Sequence, residues 1–182
     1  MALKLKKLLE NKVIPTELNE ATFNQLVLPL IPTNTSGPKP KIPHYKVFNY
    51  IMSFLYTGCQ WKKIPIEKDK DGKPEISYTR IFRKFQRWSS SGVFEKLFDI
   101  SVIKLKEFDL LDTSILHGDG TTTAAKKGGD KIGYSGHKHI KGEKIVAISD
   151  RNCNVIATGT TEPANRNEAK MFTCALEHLK KT

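Results

Sequence analysis

The sequence predicts an α+β protein, helical in front and β-containing behind. Three observations predict it. Before Leu110, apolar residues recur at helical spacing. From Ile115 the pattern changes to short β-branched runs bounded by turn residues. A last helical stripe then follows, made of Met171, Phe172, Ala175, Leu176 and Leu179. The boundary is expected near Leu110 to Ser114, and the back half is expected to run strand, strand, strand, helix.

The front elements follow from capping and breaker residues. Thr16 can cap a helix starting at Glu17, with Leu18, Phe23, Leu26, Val27 and Leu30 as its stripe and Pro29 and Pro32 ending it. Thr33 to Pro43 reads as a linker. A second helix is expected over His44 to Tyr56, carrying Val47, Phe48, Ile51, Phe54 and Leu55 and stopped by Gly58. Trp61 and Ile64 are expected to pack back on it. Glu67 to Pro74 is a charged loop with an Asp71-Gly72 turn. Ser77 then caps a helix whose core face is Tyr78, Ile81, Phe82, Phe85 and Trp88. The next helix spans Val93 to Phe108, with Val93, Phe94, Leu97, Phe98 and Leu105 apolar. Several short helices with a late basic one suggest a unit like a helix-turn-helix.

The back elements follow in the same way. Ser114 to Asp119 reads as a short apolar strand ending in an acid, followed by Thr121 to Ala125 and a turn at Lys126 to Asp130. Glu143 to Ile148 is a strand, Asp150-Arg151-Asn152 a hairpin turn, and Val155 to Thr158 the return.

Composition bounds the function. A chain of 182 residues holds one domain, or one and part of a second. Hydrophobic residues at 38% and charged residues at 27% exclude wholesale disorder. No apolar run is long enough to span a membrane, and the start lacks the order of a secretory signal. Cys59, Cys153 and Cys174 form no CxxC pair, which argues against a zinc knuckle or disulfide scaffold and makes a reducing cytosol the default. The net charge is +11. Such a balance favours a polyanion, most commonly nucleic acid, or else serves solubility.

The charge is concentrated. Lys39 to Arg87 holds twelve Lys and Arg against four Asp and Glu, while His117 onward holds eleven against seven. On the Tyr78 helix, Arg80, Arg83, Lys84 and Arg87 share the face opposite the aromatic one, with no carboxylate among them. That face suits contact with DNA phosphates; the alternative is a solvated surface. In the back half, Asp119 stands between Gly118 and Gly120. A carboxylate in such a place can hold Mg²⁺, which prefers oxygen ligands, but one Asp is not a site and serves turns as well.

Asp119 to His139 (DGTTTAAKKGGDKIGYSGHKH), Ala147 to Ala157 (AISDRNCNVIA) and Pro163 to Glu168 (PANRNE) resemble segments of bacterial insertion-sequence transposases of the DDE type, beginning with their first catalytic segment. The front block, from Tyr45 through Gly58-Cys59-Gln60-Trp61 to YTRIFRKFQRW at Tyr78 to Trp88, is similar to the helical DNA-binding domain preceding the core in that family. The resemblance runs from about Lys39 to Phe172.

The resemblance implies three parts: an N-terminal helical segment and linker (1–38), a basic DNA-binding domain (39–110), and the first half of a ribonuclease-H-like core (111–182), three strands and a helix. It implies that Asp119 is the first of three carboxylates that together hold two Mg²⁺ ions for in-line attack on a phosphodiester. The second and third acids are not found in the sequence, so an incomplete enzyme is expected. Glu168 is a weak substitute, because an acid at a helix entrance commonly complements the dipole.

In the complete fold the first core strand has a parallel neighbour, so here it is expected to be an exposed, apolar edge. The chain then reads as a transposase completed by a second polypeptide, as a non-catalytic binder of the element's ends, or as an inactive remnant. Lys180-Lys181 before Thr182 fits either slippage into a downstream frame or an ordinary helix end. The implied partners are DNA at the element ends, and a second copy or a downstream-frame polypeptide, with no membrane. The implied location is the bacterial cytoplasm, at the nucleoid.

His137 and His139 read as surface or phosphate-proximal residues, not zinc ligands. Asp130 and Asp150 read as turn residues. Gly128-Gly129 lacks the following motif of a phosphate loop. Thr121 to Thr123 could touch a scissile phosphate or simply serve the strand.

Overall fold

The structure is a computed structural model that describes residues 17–32, 40–125, 129 and 131–180. Thr16, the linker from Thr33 to Lys39, the turn residues Lys126 to Gly128 and Asp130, and Lys181-Thr182 lie outside the described residues. The chain is mixed helix and antiparallel sheet, the α+β class expected. It divides into two compact units between Ile100 and Ser101, within a helix.

The first unit is helical. Helix α1 (Glu20–Leu26) begins three residues later than the expected Glu17, because Asn19 caps it by accepting a hydrogen bond from Thr22 N–H at 2.8 Å. Pro29 falls in a 3-10 turn at Leu28–Leu30. Helix α2 (His44–Thr57) ends at Gly58, whose φ of +62° is the left-handed conformation expected of a glycine stop. Asn49 on α2 ties down the chain before α1, accepting from Leu18 N–H at 3.0 Å and donating to Leu18 C=O at 2.9 Å. Helix α3 (Tyr78–Ser90) and helix α4 (Val93–Glu107) are separated by Gly92 at φ +71°.

Phe23, Val27, Phe48, Ile51, Ile81, Trp88 and Val93 form the core of this unit. Ile64 is buried in it, as expected. Trp61 stacks on Phe54 with ring centroids 3.7 Å apart. In this unit two residues of the expected stripes do not join the core. Tyr78 and Leu55 are exposed, because each lies at the margin of its helix's apolar face, and Tyr50 is buried on α2 instead.

The second unit is built on strand β3 (Ile140–Ser149). Strand β1 (His117–Ala124) pairs antiparallel along one side of it, from His117 opposite Ser149 to Ala124 opposite Gly142. Strands β2 (Gly133–Ser135), β5 (Glu162–Pro163) and β4 (Val155–Thr158) pair with its other side in turn, since Gly142 faces Ala124 and Gly133, and Ala147 faces Asp119 and Thr158. Helix α5 (Glu168–Leu179), capped by Asn167, covers one face through Met171 and Ala175. Val146, Ile148 and Ala157 are buried with them.

Three expectations need correction here. The described residues contain five strands, not three, because the turn-rich stretches close into the short β2 and β5. Asp119 does not end a strand; it is the third residue of an eight-residue one, because pairing with β3 continues through the threonines. Strand β1 is not apolar. Its residues are HGDGTTTA, and the apolar Ile115 and Leu116 precede it, exposed. Among the described residues it pairs on one side only.

Asp150 sits in the expected turn but has a further part to play. It is fully buried. One carboxylate oxygen accepts from Asp112 N–H at 2.9 Å and Asn154 Nδ2 at 3.2 Å, and the other accepts from Asn154 N–H at 2.8 Å. Burial pushes its pKa up, but the bonds from Asp112 and Asn154 outweigh that and hold it below the usual carboxylate value. Asp150→Ala is expected to cost about 1–3 kcal/mol by stranding buried donors. A lowered folded-state pKa means the contribution is present above about pH 4 and lost as pH falls below it. Urea titrations of both proteins at pH 7 and pH 3 check this. The difference should shrink at the lower pH.

Candidate nucleic-acid interface

Helix α3 turns Ile81 and Trp88 inward and leaves its cationic residues outward. Arg80, Arg83 and Arg87 are exposed, and Lys84 is half-buried. None of the four forms an ion pair with a carboxylate among the described residues. Burial, and then the charge of Arg87, lower the pKa of Lys84. Burial, and then the charge of Lys84, lower that of His44, whose ring lies 5.9 Å from Trp88. The three arginines are thus the open part of the face, and Lys84 is its inner margin.

The aromatic side of the same helix also takes Trp61, which was expected only against α2. Trp61 meets Phe82 edge-on at 5.1 Å and Phe85 at 5.3 Å, which fixes the 3-10 turn Trp61–Lys63 beside α3. Lys62 and Lys63 on that turn are exposed. The adjacency of Trp61 to two lysines was the available signal, and only a tertiary contact relates it to α3.

Asp119 is exposed, and its Oδ1 accepts from the neighbouring Gly120 N–H at 2.8 Å. The flanking glycines have a packing reason. A Cβ on Gly118 would stand 2.6 Å from Phe172 Cε1, and one on Gly120 would stand 2.8 Å from Glu168 Cδ. Both glycines face α5, and alternation along the strand puts Asp119 on the other face. Glu168 therefore lies across the strand from Asp119, and its Oε1 pairs with Lys144 Nζ at 3.0 Å.

The described residues contain no group of three or more His, Cys, Asp and Glu able to hold a metal ion. Asp119 has no such group around it among the described residues, and this does not fit a two-metal site. His137 and His139 are exposed, and the His139 ring is 3.2 Å from the Tyr134 hydroxyl. Thr121 and Thr123 are exposed on the Asp119 face, while Thr122 points to the other. No described helix is long and apolar enough to cross a membrane.

Residues 18–98, which span the helical unit, match the family model described as "Putative transposase of IS4/5 family". The chain is also 26% identical over 119 residues to the "Insertion element IS402 uncharacterized 16.2 kDa protein" of Burkholderia cepacia, covering 60% of this chain and 75% of that one. No solved structure matches the chain. Both matches support the resemblance to an insertion-sequence transposase, in its N-terminal portion.

Proposed function

We propose that the chain supplies the DNA-binding domain and the start of the catalytic core of an insertion-sequence transposase. The observation that carries this reading is the face of Arg80, Arg83 and Arg87, exposed and without carboxylate partners among the described residues, on a helix anchored by a buried aromatic side. Residues 39–110 form the DNA-binding part, and 111–182 begin a ribonuclease-H-like core. Asp119 is the first of its acids, on a strand that pairs on one side only among the described residues and can take a further strand on the other. DNA at the element ends is the partner.

A second reading is favoured by the lack of a metal-holding group of acids around Asp119 among the described residues. The chain then occupies the element ends without cutting them. Metal-dependent nicking of DNA by this chain, lost in Asp119→Ala, would decide for the enzyme; binding without nicking would decide for the second reading.

The DNA reading itself is tested by titrating a labelled random-sequence duplex across a range of salt. Each neutralised phosphate contributes about 0.9 to the slope of log affinity against log salt. Replacing Arg80, Arg83 and Arg87 with Gln is expected to lower the slope by about 3. A native chain without salt-dependent binding would overturn the reading, and an unchanged slope in the variant would remove α3 from the interface.

A further inference from the structure

The charged loop expected at Glu67 to Pro74 is a closed hairpin. Lys68 bridges Pro74, Asp69 N–H donates to Lys73 C=O at 2.7 Å, and Glu75 N–H donates to Glu67 C=O at 2.9 Å. At its tip, Asp69 Oδ1 accepts from Asp71 N–H and Lys73 N–H, each at 3.0 Å. Gly72 turns the chain at φ +74°.

Both feet of the hairpin are fastened to α2. Lys46 Nζ lies 2.7 Å from Glu67 Oε2 and 3.0 Å from Glu75 Oε2. The buried Tyr50 hydroxyl donates to Glu75 Oε1 at 2.7 Å and accepts from Glu67 N–H at 3.0 Å. The bonds from Glu67 and Glu75 raise the pKa of Lys46, and burial followed by the Glu75 bond pushes Tyr50 up to about 12. Lys46 therefore stays charged and Tyr50 neutral around neutral pH.

The acids and bases of the hairpin are sorted by this arrangement. Glu67 and Glu75 are occupied by Lys46 and Tyr50, and Asp69 is occupied by its own turn, while Asp71 is exposed at the tip beside the lysines. Lys68, Lys70 and Lys73 are exposed and pair with no carboxylate among the described residues. Only Ile76 and Ser77 separate the hairpin from α3, so its position is fixed relative to the start of the arginine face. Three cations on a tied-down hairpin meet a regular row of negative charges with little ordering cost. A solvated loop would need no buried tyrosine at its foot.

We propose that this hairpin is a second phosphate-contacting arm, which presents Lys68, Lys70 and Lys73 to the backbone of the DNA that α3 engages. The inference rests on the DNA reading above. In the same duplex titration, Lys68, Lys70 and Lys73 replaced together by Gln are expected to lower the salt slope by about 2 to 3. Tyr50→Phe, which loosens the hairpin but keeps its lysines, is expected to weaken binding about 2- to 10-fold at fixed salt. If the arginine variant lowers the slope and the lysine variant leaves it unchanged, the arm is wrong and the DNA reading stands. Full affinity in Tyr50→Phe would overturn the role of the clamp. If the native chain shows no salt-dependent binding, both fall.

Discussion

Trp88→Ala is expected to destabilise the helical unit by about 3–5 kcal/mol. Trp88 is 1% exposed and is among the largest side chains fully enclosed in that unit. Its ring lies 6.5 Å from Phe48, which in turn lies 5.6 Å from Phe23, so one indole links α3 to α2 and, through Phe48, to α1. Removing it loses the transfer free energy of the ring and leaves a cavity that three helices cannot close together. Stability of a small domain is typically about 5–15 kcal/mol, so this one substitution takes a large share of it. Urea denaturation followed by far-ultraviolet circular dichroism measures the loss, with Trp88→Phe expected to recover part of it. An unchanged midpoint in Trp88→Ala would mean that this core does not hold the unit together.

Gly142→Ala is expected to be the most damaging of the glycine substitutions in the sheet. Gly142 is the β3 residue flanked by Ala124 on one side and Gly133 on the other. A Cβ there would stand 1.9 Å from Thr123 O, 2.9 Å from Thr123 C and 3.2 Å from Ala124 Cα. These are backbone atoms of the paired strand, and they can move only if β1 and β3 separate. The expected cost is about 3 kcal/mol, the upper part of the range for overpacking. Gly118→Ala provides the comparison. Its close neighbour is the ring edge of Phe172, a side chain that can turn aside, so the cost should be smaller. Thermal unfolding of the two variants gives the order, and equal melting temperatures would contradict it.

Much of the helical unit was legible in the sequence. Residues Val47, Phe48 and Ile51, and Ile81 with Trp88, announce their helices by spacing alone, and Gly58 and Gly92 end or separate them through a conformation that glycine favours. The start of α1 was misread because Thr16 and Asn19 are both good caps, and local chemistry does not choose between them. The arginine face was legible for the same reason as the core face, since both follow one helical period.

The second unit was less legible. Short strands carry few residues on which to read a period, and β2 and β5 exist only because β3 lies beside them. The direction of Asp119 was likewise undecided until α5 was placed. Gly118 and Gly120 looked like the backing of a metal ligand, yet they are small because Phe172 and Glu168 lie against them.

Local spacing and composition thus settled the α+β class, the positions of the main helices and the concentration of positive charge, because each depends on neighbours along the chain. Long-range contacts decided which charges stay free. Lys46 and Tyr50 meet Glu67 and Glu75 across 17 to 29 residues of chain, and Asp150 reaches Asp112 across 38. A carboxylate's partner across such a distance is set by how the elements pack, and no local pattern encodes it.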